Sequence, residues 1–495
     1  MKPLPLFAAL VVGGATLWSA GWFVGKTVFV EPEADRAVED IRAGRMFFSF
    51  KERSIGGFPF GYNVAYHGVS VSDSSTTWRW TVPEIEVASG VADSGALTLT
   101  TSPSSVLEIS SGGGGDASPT VFDIETKDFL VHLQQGGKGG SIIDAEATEI
   151  AAVQRGAGGL ISGARFVVSD LVYALRPESA VAGEVGLTAS RVEAAYRMSA
   201  DGVSETWSES TSHGVVLAVD YDATGYDAAN PFMFVTEGGS VAATLNIASG
   251  EGRSGSTGGP SAVPFTGTFT TGESTARIAV GQGRLSYGGE GAAARFDVTY
   301  EEGGPIPGFG FEMGRAAVDF SMPTEVSAET QPYSLMISGS DITLDDGLWG
   351  QFDPGAALRR DPMLMTFDVA GNARIFRDLM SFEVSERHGP PIELETLTLR
   401  DVRFAGLGAG LSATGELDVR GVAAQPDGEI SIVIDGALAV IDQLTAAGLI
   451  ELDAANLYKA MGQQILRPGE GEDQFIADVV SKGGNVSING VSLGQ

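Results

Sequence analysis

The four residues Glu84-Ile85-Glu86-Val87 show the pattern that decides the fold of this chain. Acidic and aliphatic side chains alternate with a period of two, which is the period of a β-strand with one apolar and one polar face. The alternation recurs along most of the chain, with apolar residues at Val69 and Val71, Leu97 and Leu99, Val131 and Leu133, Phe166 and Val168, Leu217 and Val219, Ile278 and Val280, Phe296 and Val298, Val318 and Phe320, and Leu335 and Ile337. We predict a mainly β protein: an elongated, curved antiparallel sheet whose apolar face either stays open as a groove or closes as a sandwich.

The composition is acidic, rich in glycine and free of cysteine. The chain has 63 acidic and 31 basic residues, for a net charge of -32, and 68 of its 495 residues are glycine. A surface this negative repels phosphate backbones, so we expect no nucleic-acid partner. The lack of cysteine excludes disulfide bonds, zinc-thiolate sites and cysteine nucleophiles.

The first apolar run, residues 4–24, contains no charged side chain and lies between Lys2 and Lys26. A helix over this run would be roughly 30 Å long, about the hydrocarbon thickness of a bilayer. Acidic residues follow the run at 31–35, so the positive-inside tendency places Met1 in the cytoplasm and the bulk of the chain outside. We therefore predict a single-pass inner-membrane anchor with the rest of the chain in the periplasm. A cleaved signal peptide is the alternative, although Trp18 is a poor residue at the −3 position of a cleavage site.

Two short helices are predicted near the carboxyl end, over 436–466. Apolar residues follow helical spacing in both, and Asp435 precedes the first in an N-cap position. The predicted organisation is a membrane anchor or uncleaved signal at 1–30, a stalk helix at 31–45, an N-terminal β half at 46–250, a linker or long loop rich in Gly, Ser and Pro at 251–264, and a C-terminal β half with the two helices at 265–495.

Motifs that would indicate a particular chemistry are missing from the sequence. The four histidines are far apart, and neither a HExxH motif nor a GxxxxGK[ST] loop occurs. We assign no catalytic, cofactor-binding or metal-binding residue. One cluster leaves an alternative open, since Asp341, Asp345 and Asp346 are either solvated acids of a turn or oxygen ligands of a calcium ion.

Several blocks occur in a fixed order along the chain: Gly57-Phe58-Pro59-Phe60, then Leu348 to Pro354 with Trp349, Phe352, Asp353 and Pro354, then Asp361-Pro362, then Gly436 to Gly448, and finally Asn489-Gly490. From roughly Gly57 to the carboxyl end, these blocks resemble the envelope family catalogued as domain of unknown function 2125. The resemblance implies a β-rich bacterial envelope protein with an amino-terminal membrane segment. It implies neither a reaction nor catalytic residues.

The two Asp-Pro pairs of these blocks are interpreted as turns. Asp353 and Asp361 can accept hydrogen bonds from nearby backbone N–H groups, while Pro354 and Pro362 fix the φ angle. This favours a structural role over contact with a ligand.

The leading hypothesis is a non-enzymatic, inner-membrane-anchored periplasmic β protein that binds or handles lipid in an apolar groove. Its expected partners are the inner membrane, through residues 4–24, and a lipid or an envelope protein. The alternative is an envelope interaction scaffold that uses sheet edges and acidic loops. A secreted hydrolase is the less favoured third hypothesis, because it needs convergent carboxylates in a concave site.

Overall fold

The computed structural model describes residues 27, 31, 34–36, 38–39, 46–58, 61–73, 77–90, 96–110, 119–135, 141–158, 161–179, 181–199, 204–225, 238–258, 263–301, 307–377, 379, 391–420 and 426–492. The predicted anchor at 4–24 and much of the predicted stalk helix lie outside these residues. Among the described residues, no helix is both long enough and apolar enough to cross a bilayer.

The chain divides into two compact units, Met1–Val215 and Val216–Gln495. The division falls within β13, Thr206–Asp222. The strands of the first unit that precede β13 are β1 Met46–Ser49, β2 Glu52–Gly56, β3 Gly61–Asp73, β4 Trp78–Gly90, β5 Ala96–Thr101, β6 Ser104–Ile109, β7 Thr120–Lys127, β8 Leu130–Gln135, β9 Ser141–Gln154, β10 Ala157–Gly158, β11 Ile161–Pro177 and β12 Ala182–Met198.

Over its described residues, the second unit contains the later strands and three short helices. The strands are β14 Ser240–Ile247, β15 Ser249–Ser256, β16 Phe265–Thr271, β17 Ser274–Gly281, β18 Arg284–Tyr300, β19 Gly308–Pro323, β20 Gln331–Leu344, β21 Met363–Ile375, β22 Ile392–Gly406, β23 Ala409–Asp418, β24 Asp427–Asp435, β25 Arg467–Pro468, β26 Gln474–Lys482, β27 Asn485–Ile488 and β28 Val491–Ser492. The helices are α1 Asp346–Phe352, α2 Ala437–Ala446 and α3 Leu452–Ile465.

Both units are built from antiparallel strand pairs, as predicted. In the first unit, β1 and β2 pair with β3, β3 pairs with β4, and β4 pairs with both β5 and β6. Strand β5 pairs with β8 and β6 pairs with β7, and β7 and β8 both pair with β9. Strand β9 pairs with β11, which pairs with β12. In the second unit, β14 pairs with β17, β15 with β16, and both β16 and β17 with β18. From β18 each strand pairs with the next through β24, which pairs with β26. The chain is therefore mainly β.

The linker predicted at 251–264 is wrong over its first part. Residues Ser249–Ser256 form β15, which pairs along its length with β16, from Gly250 opposite Thr271 to Ser256 opposite Phe265. Gly and Ser suggested a loop because they bury little apolar surface, but backbone hydrogen bonds to a neighbouring strand do not require large side chains.

The core of the first unit lies where helical residues cover the first strands. Ala34 and Val38 are helical and are buried with Phe48, Val64, Tyr66, Val69, Val82 and Ile85. The ring of Tyr66 packs edge-on against Phe48 at 5.7 Å. Arg53 in β2 pairs with Asp35 at 2.6 Å, which ties the helical residues to the sheet. The described part of the predicted stalk thus packs on the sheet.

The predicted helices near 436–466 are present as α2 and α3, but the predicted cap is wrong. The N-cap of α2 is Gly436 in a left-handed conformation, with φ 71°, and it makes no side-chain capping bond. The side chain of Asp473 accepts hydrogen bonds from the backbone N–H groups of Leu438 at 3.1 Å and Ala439 at 3.0 Å. A carboxylate distant in sequence therefore satisfies the first turn in place of Asp435.

Buried and exposed isoleucines of the second unit should differ sharply in their contribution to stability. Ile375 in β21 is 0% exposed, whereas Ile278 in β17 is 46% exposed. We expect Ile375→Ala to lower the free energy of unfolding by about 2–5 kcal/mol, because it leaves a cavity. The matched change Ile278→Ala should cost about 1 kcal/mol or less, because water already reaches that side chain. Denaturant unfolding of both variants measures the difference, and equal losses would contradict the described burial.

Candidate functional site: an apolar trough in the second unit

One face of the second unit is apolar because the register places apolar residues opposite one another. A row crosses β17 to β21 through Ile278, Tyr287, Phe320, Leu335 and Val369, each opposite the next. Directly opposed residues of antiparallel strands project from the same face of a sheet. These side chains therefore form one continuous apolar row.

The opposite face is polar. Arg277 is opposite Gly288, which is opposite Asp319, and Asp368 is opposite Asp401 further along the same face. Arg295 of β18 donates two hydrogen bonds to Asp297, at 2.7 and 2.9 Å, and these bonds lower the pKa of the Asp297 carboxyl. The charged side chains named here thus lie on the face opposite to the apolar row.

Next to the apolar row, the same face has a depression, which we call the trough. Four consecutive strands contribute small residues to its floor: Ser274 and Ala276 of β17, Gly289 and Gly291 of β18, Ala316 of β19 and Gly339 of β20. Larger side chains surround this floor: Leu245 and Ile247, Tyr287, Met313, Val318, Ile337, Ile342, and Met365. The trough has a volume of ≈ 470 Å³, which is within the roughly 300–1,000 Å³ of ordinary ligand sites.

The trough runs across the strands. Its lining extends from β14 to β21, over the successive pairs β14–β17, β17–β18, β18–β19, β19–β20 and β20–β21. Strand neighbours are about 4.8 Å apart, so the lining strands span roughly 24 Å and the small-residue floor roughly 14 Å.

In three neighbouring strands one residue interrupts the alternation beside the trough, and we call these positions the kink row: Ala293 in β18, Gly314 in β19 and Asp341 in β20. Ala293 and Asp341 have φ of 50° and 53°, a left-handed conformation that non-glycine residues seldom adopt. Gly314 is needed because a Cβ there would lie 2.8 Å from the Cβ of Asp341.

The kink row keeps apolar side chains on one face. In β19 the apolar positions change from odd numbers before Gly314, ending at Met313, to even numbers after it, starting at Ala316. A Cβ on Gly339 would lie 3.4 Å from Met313 Sδ and 3.1 Å from Ile342 Cδ1, so residues from both sides of the kink row close over the same floor. The alternation reverses at the kink row, and apolar side chains on both sides of it therefore project from the same face.

The apolar side chains around the trough are open to solvent. Tyr287 and Ile337 are each 41% exposed, and Met365 is 46% exposed. Among the described residues that line the trough, none at an apolar-face position carries a charge; Glu290, between Gly289 and Gly291, belongs to the polar face. The site can accept an uncharged, apolar ligand by displacement of water from these side chains.

The residues singled out from the sequence that the structure describes do not line the trough. Gly57, with φ 97°, and Phe58 connect β2 to β3, and the backbone N–H of Gly61 donates to the Gly57 carbonyl at 3.0 Å. Pro59 and Phe60 lie outside the described residues.

The block around Trp349 forms a short helix and a turn. Trp349 and Phe352 lie in α1, where Trp349 is buried and the guanidinium of Arg360 lies 5.2 Å from its ring. Asp353 is fully buried, and its carboxylate accepts hydrogen bonds from the N–H groups of Ala357 at 2.8 Å and Leu358 at 3.0 Å. Pro354 follows in the turn.

The second Asp-Pro pair differs from the first. Asp361 pairs with Arg359 at 2.8 Å, and Pro362 immediately precedes β21 in irregular structure. The acid of the first pair thus organises a buried turn, whereas the acid of the second makes an exposed ion pair.

The three acids considered for calcium have separate roles. Asp345 accepts a hydrogen bond from the N–H of Leu348 at 2.8 Å as the N-cap of α1, Asp346 pairs with Arg360 at 2.9 Å, and Asp341 belongs to the kink row. Within the described ranges, no group of three His, Cys, Asp or Glu side chains could hold a metal ion.

Sequence reasoning missed the trough. The available signal was the run Gly288-Gly289-Glu290-Gly291 inside an otherwise alternating strand, since glycine in the interior of a strand often marks a bulge or a close approach. Taken alone, the run predicts a turn. Only the register between the strands places it beside Ala276, Ala316 and Gly339.

The fold and the trough define an antiparallel β protein with an open apolar face. The chain belongs to the family described as uncharacterized protein conserved in bacteria (DUF2125), whose sequence profile matches residues 22–279, slightly more than half of the chain. The family predicted from the sequence is therefore confirmed. The matched extent differs from the predicted one. Of the sequence blocks that suggested the family, only Gly57 to Phe60 lies within the matched segment. No curated protein and no solved structure matches the chain.

The two Asp-Pro acids should differ in their effect on stability. We expect Asp353→Ala to lower the free energy of unfolding by roughly 3 kcal/mol or more, because it leaves one buried and one part-buried N–H group without their charged acceptor. The matched change Asp361→Ala should cost less than about 1 kcal/mol, since an exposed ion pair contributes little. Chemical denaturation of both variants tests this, and a small loss for Asp353→Ala would show that the turn does not depend on its carboxylate.

Proposed function

We propose that this protein is a non-enzymatic lipid-binding protein of the bacterial envelope that takes up acyl chains in the trough of its second unit. The observation that carries the proposal is an uncharged trough of ≈ 470 Å³ with a floor of small residues, set in an apolar face whose side chains are 41–46% exposed. The floor spans roughly 14 Å, which is about half the roughly 30 Å hydrocarbon thickness of a bilayer and so about the length of the acyl chains of one leaflet.

The energetics favour such a ligand. Burial of a methylene group is worth about 0.8 kcal/mol, so ten methylenes would contribute roughly 8 kcal/mol before the costs of association. That gain is available because the trough is open. A trough already filled by the protein's own side chains would offer no such gain.

The amino-terminal run supports the cellular setting of the proposal. Residues 4–24 are uncharged and long enough to span a bilayer, and the charges around them favour a periplasmic position for the bulk of the chain. An inner-membrane anchor would hold the trough close to a supply of lipid. The groove form of the predicted sheet is part of the same proposal.

The two other hypotheses receive less support. An interaction scaffold would use sheet edges and acidic loops, whereas the exposed apolar side chains Ile278, Ile337 and Met365, each more than 40% exposed, lie on one face of the sheet. A hydrolase needs convergent carboxylates, whereas the trough presents none at the described apolar-face positions. Both observations favour an apolar ligand.

Filling the trough should prevent lipid uptake. Ala316 and Ala317 are neighbours in β19, but Ala316 is opposite Gly291 on the trough floor and Ala317 is opposite Glu290 on the polar face. We expect Ala316→Phe to reduce bound lipid at least tenfold, because the ring occupies the space above the glycines, and Ala317→Phe to leave it unchanged. Full-length protein in phosphatidylcholine vesicles is labelled with a lipid that carries a photoreactive group on its acyl chain.

The readout of this experiment is the yield of lipid adducts on peptides of the trough, measured by mass spectrometry after digestion. Digestion distinguishes adducts on the trough from adducts on the membrane anchor. Circular dichroism checks that both variants are folded. Wild-type protein without adducts at the trough, or an Ala316→Phe variant labelled as well as the wild type, would overturn the proposed function.

A further inference from the structure

The trough holds one polar group that stands above its floor, the phenol hydroxyl of Tyr287. Tyr287 and Gly289 are two residues apart in β18 and project from the same face. A Cβ on Gly289 would lie 3.3 Å from Tyr287 Oη, so the hydroxyl extends over this glycine and into the trough. The absence of a side chain at Gly289 makes room for it.

The Tyr287 hydroxyl has no protein partner in the part of the chain that the structure describes. The contrast is Tyr333 of β20, whose hydroxyl donates to the Thr396 carbonyl at 3.0 Å and whose pKa is raised by burial. Tyr333 thus has a structural hydrogen bond, whereas Tyr287 is 41% exposed and directs its donor into the ligand space. Ser274 is the other hydroxyl residue on the floor, and its short side chain stays near its own backbone, where it can bond locally.

The charges around the trough restrict the group that this hydroxyl could meet. A carboxylate or a phosphate in a largely apolar space requires a cation or several donors. The described apolar-face positions of the trough supply no lysine, arginine or histidine. The complementary ligand group is therefore an uncharged hydrogen-bond acceptor, and the ester carbonyl at the head of an acyl chain is such a group.

We propose that the trough selects the acyl chain of an esterified lipid, with Tyr287 Oη donating a hydrogen bond to the ester carbonyl while the chain lies across strands β17 to β20. The inference rests on the proposed function, because it assigns the ligand of the same trough. Tyr287 is a specificity-determining residue in this arrangement. A free fatty acid and an ether-linked lipid both lack the matching group, the first because its carboxylate is charged and the second because it has no carbonyl.

The test compares ester-linked and ether-linked phosphatidylcholine, each with the same photoreactive group at the end of one chain. Each probe is present at the same mole fraction in vesicles of unlabelled ether-linked phosphatidylcholine that contain the full-length protein. The adducts on trough peptides are measured by mass spectrometry. For the wild type we expect the ester probe to exceed the ether probe by about 2- to 10-fold, the effect of one net hydrogen bond.

The variant Tyr287→Phe should bring this ratio to about 1 by lowering the ester yield, with the ether yield unchanged. The matched control is Tyr221→Phe, since Tyr221 is opposite Val241 on β14 and is not part of the trough lining; its ratio should equal that of the wild type. Equal labelling by the two probes in the wild type, or an unchanged ratio in Tyr287→Phe, would overturn the role of Tyr287 and leave the proposed function standing. The lack of trough adducts with either probe would instead overturn the proposed function itself.

Discussion

The structure depends on one constraint, that every apolar side chain of a long strand must project from the same face as those of its neighbours. Antiparallel pairing enforces this across strands, and period-two alternation enforces it along each strand. A single extra residue would normally send all later side chains to the wrong face. In the second unit, β18, β19 and β20 each contain one residue that interrupts the alternation, at Ala293, Gly314 and Asp341, and their apolar positions change from odd to even numbers there.

The first unit uses the same device on its own strands. In β3, Gly68 has φ 62°, and the buried positions change from Val64 and Tyr66 before it to Val69 after it. In β11, Asp170 has φ 50° and accepts a hydrogen bond from the Ser190 hydroxyl of the neighbouring strand at 2.6 Å. Recurrent strain that the surrounding register supports in this way is a feature of the fold and not an isolated irregularity.

The kink row also explains where the trough lies. Small residues of four strands lie next to one another beside the kink row, and larger side chains from both sides of the kink row surround them. The position of the trough therefore follows from the register and the kink row together. Its openness has an energetic consequence, because apolar surface left in water is worth about 25 cal/mol per Å² to any ligand that covers it. The net negative charge of the chain opposes association with other acidic chains.

Several features could be predicted from local sequence because their causes are local. Alternation identified most strands, helical spacing identified α2 and α3, and the short polar side chain before Pro354 identified the turn that Asp353 organises. The predictions failed where a distant partner decides the outcome. The glycine-rich β15 is a strand because β16 supplies its hydrogen bonds, and Asp473 replaces Asp435 at the first turn of α2.

The sequence by itself determined the β class, the family and the separation of apolar from charged side chains, since each is written in the order of neighbouring residues. Only the tertiary structure decided that Ala276, Gly289, Ala316 and Gly339 contribute to one floor, that the Tyr287 hydroxyl extends over Gly289, and that the apolar side chains around this floor are 41–46% exposed at Tyr287, Ile337 and Met365. The physical reason is register: residues far apart in the chain become neighbours through backbone hydrogen bonds between strands, and alternation within one strand does not specify which residue of the next strand lies opposite.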